Sequence, residues 1–339
     1  MGRVLVTGGA GYIGCVLTEM LLEAGYEVRV LDRLFFGNTL EHVQDRPGLE
    51  IVQGDTRTVE PTILEGVDAV VDLAALSNDP AGELDPEITL AINFRARARM
   101  ARMAKERGVG RYVVSSSCSV YGFQEGILNE LSQPNPLTTY ARANVEVEKA
   151  NIPLADDCFT VTALRFATAY GLSPRMRFDL VINGMSLGIY EKGSIPVLRD
   201  GTQWRPMVHV HDIARSVLMT LRAEPARVNG QIIGVGSDEQ NVQILPLAER
   251  LAQAVEKPFA FEWYGSPDNR SYRVNFTKVR ELLEFAPERT PEGAAREIAQ
   301  ALATGRAVAD MRTRTVEWYK SLIHWHQILR SVVLNDAVL

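Results

Sequence analysis

The sequence predicts an α/β protein, a doubly wound parallel sheet with a smaller, discontinuous α/β second domain. Three observations predict it. Short β-rich runs alternate with helical patterns over the first 170 or so residues, the signature of successive βαβ units. The β-rich runs are continuously apolar, as expected when helices cover both faces of a sheet. After residue 171 the alternation stops, resumes over 208–235, and stops again.

The strands are expected at 3–7, 27–31, 50–53, 69–73, 111–115 and 159–164. Helical patterns fall at 13–24, 87–107 and 138–150. The segment 208–235 reads as strand, helix, strand, with His209 and His211 alternating along the first of these strands. Residues 1–171 plus 208–238 would form the sheet domain, and 172–207 plus 239–307 the smaller one. The tail, 308–339, carries an amphipathic stripe of Val316, Trp318, Tyr319, Leu322, Ile323, Trp325 and Ile328. Such a stripe packs as core or as a subunit contact.

Composition narrows the function. The 339 residues are 46% apolar and 23% charged, with a net charge of −6. A phosphate-binding face for nucleic acid needs a basic balance, so nucleic acid is not expected as a partner. No apolar run reaches the roughly 18–20 residues of a membrane helix. The chain opens directly into a strand-like run, so a cytoplasmic protein is expected. Cys15, Cys118 and Cys158 show no metal-ligand spacing, and no metal is expected.

The first strand runs into Thr7-Gly8-Gly9-Ala10-Gly11-Tyr12-Ile13-Gly14. Gly8 permits the tight turn out of the strand, Gly11 leaves room for a pyrophosphate, and Gly14 lets the next helix pack closely. That helix directs its free N–H groups and positive dipole end at the phosphates. The second strand ends in Leu31-Asp32-Arg33. Asp32 suits the ribose hydroxyls of an adenosine and repels a 2′-phosphate, which favours NAD over NADP, although Arg33 beside it suits that phosphate. A Rossmann-like, dinucleotide-binding sheet is the reading, and the second domain is then a substrate-binding domain.

Further segments carry a resemblance. They are Gly54-Asp55-Thr56-Arg57, Asp72-Leu73-Ala74-Ala75, Asn93, Ser115-Ser116-Ser117-Cys118-Ser119-Val120-Tyr121-Gly122 and Leu164-Arg165-Phe166-Ala167-Thr168-Ala169-Tyr170-Gly171. With Gly201–Asp212, and with Tyr272, Thr277 and Lys278, they resemble the extended short-chain dehydrogenase/reductases, in the branch of nucleotide-sugar epimerases and dehydratases. The resemblance implies NAD held by Gly8, Gly11, Tyr12, Ile13, Gly14, Asp32, Arg33, Asp55, Thr56, Leu73, Ala74, Ala75, Asn93, Ser115, Tyr140 and Asn144. It implies a nucleotide-sugar (NDP-hexose) substrate near Ser117, Cys118, Thr168, Arg205 and Arg270. Arg205 is the expected diphosphate ligand. Gly265 stands where a second such Arg is usual, with Arg270, Arg175 or Arg177 as replacements. A homodimer through helices 87–107 and 138–150 is also implied.

The family's catalytic motif is Tyr-x-x-x-Lys, in which the Lys lowers the Tyr pKa and the Tyr takes the proton of a sugar hydroxyl. Here the motif reads Tyr140-Ala141-Arg142-Ala143-Asn144. Tyr140, Ser117 and Asn144 are the catalytic candidates. Without the Lys charge, Tyr140 is expected near its ordinary pKa of about 10. The Asp-Glu pair that dehydratases of the family carry after the serine is replaced by Cys118 and Ser119, which disfavours elimination. Three readings stay open. One is an NAD-dependent nucleotide-sugar epimerase acting at C4 through a keto intermediate. Another is a keto-sugar reductase. The third is a cofactor-binding relative with reduced or lost catalysis, which Asn144 favours.

Overall fold

The computed structural model describes residues 2–333. Its elements begin with β1 (Arg3–Thr7), α1 (Tyr12–Glu23), β2 (Glu27–Asp32), β3 (Leu49–Gln53), β4 (Ala69–Asp72), α2 (Asp79–Gly82), α3 (Pro86–Leu90) and α4 (Arg97–Glu106). Next come β5 (Arg111–Ser117), β6 (Phe123–Leu128), α5 (Thr139–Asn151), β7 (Thr160–Phe166) and β8 (Thr168–Tyr170). They are followed by α6 (Val181–Lys192), β9 (Ile195–Leu198), β10 (Trp204–His209), α7 (Val210–Arg222), α8 (Pro225–Val228) and β11 (Gln231–Val235). The chain continues through β12 (Asn241–Gln243), α9 (Ile244–Ala254), β13 (Phe261–Tyr264), β14 (Ser271–Val274), α10 (Thr277–Leu283), α11 (Pro291–Ala303) and α12 (Thr315–Val332).

Seven strands form one parallel sheet in the order β11-β7-β5-β4-β1-β2-β3. Alternate residues send their side chains to opposite faces. Val4, Val6, Val28, Val30 and Val113 meet Leu17 and Leu21 of α1 and Ile213 and Val217 of α7. Leu5, Leu31, Val70, Tyr112 and Val161 meet Met100 and Ala101 of α4 and Val147 of α5. The chain winds one way from β1 through β2 to β3, then crosses to β4 and winds the other way. The crevice beyond the carboxyl ends of β1 and β4 is therefore the switch point where such sheets bind ligands.

A second layer gathers the later elements. β8, β10 and β12 form a three-stranded sheet, and β9 pairs with β13. Their core unites Ile182, Met185, Ile195, Val197, Met207, Val242, Leu247 and Leu251. β14 pairs with β6, which brings residues near 270 beside the segment leading to α5.

Two expected elements differ. The single helix over 87–107 is broken, because residues 91–96 form a wider, π-type turn between α3 and α4. The wide turn carries Asn93, whose side chain accepts from the Leu76 N–H at 2.8 Å and donates to the Leu76 carbonyl at 3.0 Å. Such insertions accompany special side-chain placements. The expected strand alternation of His209 and His211 also fails. His209 ends β10 and its Nδ1 accepts the His211 N–H at 3.1 Å, which caps α7, while His211 lies in the first helical turn. In the tail, α12 contains every residue of the predicted stripe, and 334–339 lie outside the described residues.

Candidate active site

The glycines act through geometry. Gly8 has φ +70°, and a Cβ there would stand 2.9 Å from the Ala74 nitrogen. A Cβ on Gly14 would stand 2.2 Å from the Gly8 carbonyl oxygen, so α1 meets the loop at a distance only glycine allows. Tyr12, Ile13 and Gly14 open α1, and first-turn N–H groups have no partner within their own helix. Asp32 accepts from the Ala10 N–H at 3.0 Å and the Leu34 N–H at 2.8 Å, which ties the glycine loop to the loop after β2. Burial pushes the Asp32 pKa up. Leu73, Ala74 and Ala75 follow β4, and the Leu73 N–H donates to the Thr7 carbonyl at 3.1 Å. They face the glycine loop across the switch point.

Arg33 is held by a carboxylate. Its guanidinium pairs with Asp55 at 2.7 Å, and Arg57 holds the same carboxylate at 2.6 Å. The two arginines, Arg57 first, keep the Asp55 carboxyl far below the usual carboxylate range. Thr56 beside it is buried.

Ser117 ends β5, and its hydroxyl accepts the Ser119 N–H at 3.1 Å. Thr138 caps α5 by accepting the Ala141 N–H at 3.1 Å, as hydroxyls do at N-caps. The cap fixes the first turn, which presents Tyr140 to Ser117. Gly82 of α2 lies so close that a Cβ there would sit 3.1 Å from the Tyr140 Cβ. Tyr140 is half-buried. That burial, and the nearby Asp79 carboxylate, push its pKa above the ordinary tyrosine value. Hydrogen bonds from Asn144 and Ser117 and the charge of Arg97 pull it back in part. The ordinary value expected from sequence is thus corrected upward.

Behind this pair lies a charged network that sequence reasoning did not find. Asp72 and Arg97 are each 1% exposed, with Arg97 Nε 3.3 Å from the Asp72 carboxylate. Asp72 accepts from Thr7 Oγ1 at 2.7 Å and from the Tyr112 hydroxyl at 2.5 Å. One Arg97 nitrogen donates to the Ser115 carbonyl at 2.6 Å, the Ser115 hydroxyl at 2.9 Å and the Asp72 carbonyl at 3.0 Å. Ser115 therefore turns its side chain into this network. The visible signal was Asp72 itself, an acid that closes an otherwise apolar strand. Removing one partner of a buried pair strands the other charge. Arg97→Met is expected to cost about 3–5 kcal/mol in urea unfolding, and Arg97→Met with Asp72→Asn is expected to cost less.

A second cluster faces Tyr140 from the later elements. Arg205 donates to Asp268 at 2.7 Å and to the Arg270 carbonyl. Arg270 grips Asp268 through Nε at 2.8 Å and Nη2 at 2.7 Å, and also pairs with Asp79. Asp79 accepts the Thr138 hydroxyl as well. The expected diphosphate pair, Arg205 and Arg270, is thus brought together through Asp268, within one linkage of the Tyr140 turn.

Comparison with known proteins completes the picture. The model of the NAD dependent epimerase/dehydratase family matches residues 4–236. The chain belongs to this family. It is 27% identical to the UDP-glucuronate 4-epimerase of Thermodesulfobacterium geofontis over 85% of this chain and 92% of that protein. It is also 27% identical to the dTDP-glucose 4,6-dehydratase of Streptomyces niveus over 97% and 96%. Among solved structures, MoeE5 in complex with UDP-glucuronic acid and NAD superposes with a TM-score of 0.77 at 25% identity, covering 95% of this chain and 100% of that one.

NAD is the cofactor of this epimerase/dehydratase family, and the crevice fits a dinucleotide. The fit rests on the bare glycine loop, the free end of α1 and the Asp32 carboxylate.

The remaining candidate site residues are each engaged by neighbouring protein groups. Cys118 is 1% exposed and its thiol points at the Arg165 carbonyl 3.5 Å away. Burial pushes that thiol far up, a setting that suits packing more than proton transfer. Asn93 spends its side chain on the Leu76 backbone and positions that segment. Thr168 sits partly exposed on β8, paired with Met207 of β10. Arg175 and Arg177 do not join Arg205. Arg177 pairs with Asp179 and Arg175 reaches Thr315, both beside α1. Asp79 and Asp268 went unread because a lone surface-type acid carries no local signal.

Proposed function

We propose that this family member is an NAD-dependent nucleotide-sugar 4-epimerase. The observation that carries the reading is the Ser117–Tyr140 pair at the mouth of the dinucleotide crevice, where Cys118 and Ser119, and not a pair of acids, follow the serine. Positions 118 and 119 hold a buried thiol and a buried hydroxyl, which disfavours elimination of water.

A nicotinamide held in the crevice would supply hydride acceptance from C4 and hydride return. Ser117 Oγ holds the sugar O4. Tyr140 Oη, as phenolate, would take the O4 proton as C4 is oxidised to the ketone. When hydride returns to the opposite face, the Tyr140 phenol gives the proton back. No proton or electron is gained or lost over the cycle. Asn144, standing where the motif has a cation, donates from Nδ2 to the Tyr140 carbonyl at 3.2 Å. Arg205 and Arg270 bind the diphosphate, and the layer built from 172–207 and 239–307 surrounds the sugar.

A raised Tyr140 pKa is compatible with this cycle. An oxidised nicotinamide in the crevice would add a positive charge that favours the phenolate. The raised value also means that little phenolate is present in the free protein at neutral pH.

Incubation with UDP-, dTDP-, GDP- and CDP-sugars plus NAD, with C4 stereochemistry and NADH absorbance followed together, tests the proposal. Interconversion without net NADH is the expected result. Stoichiometric redox would indicate a keto-sugar reductase, and NAD binding without turnover of any sugar would indicate a relative that has lost catalysis. No helix among the described residues is long and apolar enough to cross a membrane. A cytoplasmic homodimer joined through α4 and α5 is the proposed form, and sedimentation of the purified protein tests the dimer.

A further inference from the structure

The crevice has two rims. On the adenosine side stand Asp32 and the loop through Phe35 and Phe36. On the other side stands the segment that follows β4, ending in Ser77 and Asn78. Helix α12 is tied to both.

On the adenosine rim, Trp318 Nε1 donates to the Phe35 carbonyl at 2.6 Å. The Tyr319 ring lies 5.9 Å from that of Phe35 and 5.6 Å from that of Phe36. Toward the opposite rim, Thr315 Oγ1 stands 3.5 Å from the Asp179 carboxylate. Asp179 accepts from Asn78 Nδ2 at 2.9 Å, and its partner Arg177 donates to Ser77 Oγ at 3.1 Å. About one turn of helix, Thr315 to Tyr319, therefore connects the two sides.

Arg175 sits within this connection. Its guanidinium lies 3.6 Å from the Phe36 ring centre, and Nη2 donates to Thr315 Oγ1 at 3.0 Å. Arg175 is 4% exposed, and its Nη1 is buried without a hydrogen-bond partner among the described residues. The group feels the charge of Asp32. Burial and the neighbouring Arg177 lower its pKa to about 10, so it stays cationic at neutral pH. A buried N–H of a charged group left without an acceptor is costly. A dinucleotide in the crevice would bring hydroxyl and phosphate oxygens toward this side, acceptors of the kind Nη1 lacks.

We propose that α12 is a clasp over the adenosine end of the cofactor, and that Arg175, Phe36, Trp318 and Tyr319 are cofactor-retaining residues. The chemistry proposed above requires such retention. A hydride taken from a sugar returns to the same sugar only if the reduced cofactor stays bound in between, whereas a reductase must exchange its cofactor every turnover. The clasp thus rests on dinucleotide binding in the crevice and deepens the epimerase reading.

The test is dissociation of radiolabelled NAD from the full-length protein, chased with unlabelled NAD, in Trp318→Ala and in the milder Thr315→Val. Ile328→Ala, at an exposed site on the same helix, is the control, and circular dichroism checks folding. Dissociation about tenfold faster in Trp318→Ala, faster also in Thr315→Val, and unchanged in the control is the expected result. Rates within twofold of the parent in both variants would overturn the clasp. So would tighter NAD binding in either variant, which would make the helix an obstruction. Faster release in a protein that epimerises no sugar leaves the clasp standing and removes the epimerase; unchanged release in an active epimerase does the reverse.

Discussion

Tyr140→Phe is expected to lower epimerisation by about 10²- to 10⁴-fold, the usual contribution of a positioned acid–base group. NAD affinity should stay within about twofold, because the phenol contributes to proton transfer more than to holding the cofactor. The substitution removes one oxygen and leaves the ring against α2, so folding should be preserved. Isothermal titration with NAD and a coupled product assay check the two halves separately. If NAD binding were lost together with turnover, Tyr140 would be a cofactor ligand first and a base second.

Asn144→Lys is expected to act in the opposite direction. An ammonium within about 4–6 Å of a phenol lowers its pKa by about 1–3 units. In the parent protein the pKa of Tyr140 stands above its ordinary value, pushed there by burial and Asp79. The proton-accepting form is the phenolate, so kcat/KM of the parent should climb with pH over the whole range from about 6 to 9. In Asn144→Lys the same limb should move toward neutral pH, and turnover at pH 7 should rise by about tenfold or more. A pH profile of both proteins checks this. An identical limb in the two would mean that another group sets it. Arg97 is the next to examine, since its buried guanidinium already draws the Tyr140 pKa down.

The cofactor half was legible because its determinants are local. Gly8, Gly11 and Gly14 are read from one octapeptide, and their close approaches follow from backbone geometry alone. Asp32 closes the next strand, so its place needed only the βαβ repeat. Ser117 and Tyr140 lie apart in sequence, yet a parallel sheet sets strand ends and helix starts on one edge, which brings them together.

The rest is long-range. Arg97 and Asp72 belong to a helix and a strand, and nothing in either segment names the other. The pairing of Arg205 with Arg270 through Asp268, and onward to Asp79, depends on the second layer folding back on the α2 turn. The pKa of Tyr140 was misjudged for the same reason. Its motif told of a missing lysine, while burial and Asp79 come from elements elsewhere in the chain. The stripe in the tail was visible, but its packing against Phe35 and Phe36 was not.

The central claim is that hydride leaves C4 of the sugar and returns to it within one cofactor-bound cycle, with Ser117 and Tyr140 handling the proton. The most direct measurement uses a substrate deuterated at C4. The account predicts that the epimerised product keeps the deuterium at C4 and that none appears in solvent or in free NADH. Loss of the label to water, or its accumulation in released NADH, would contradict it.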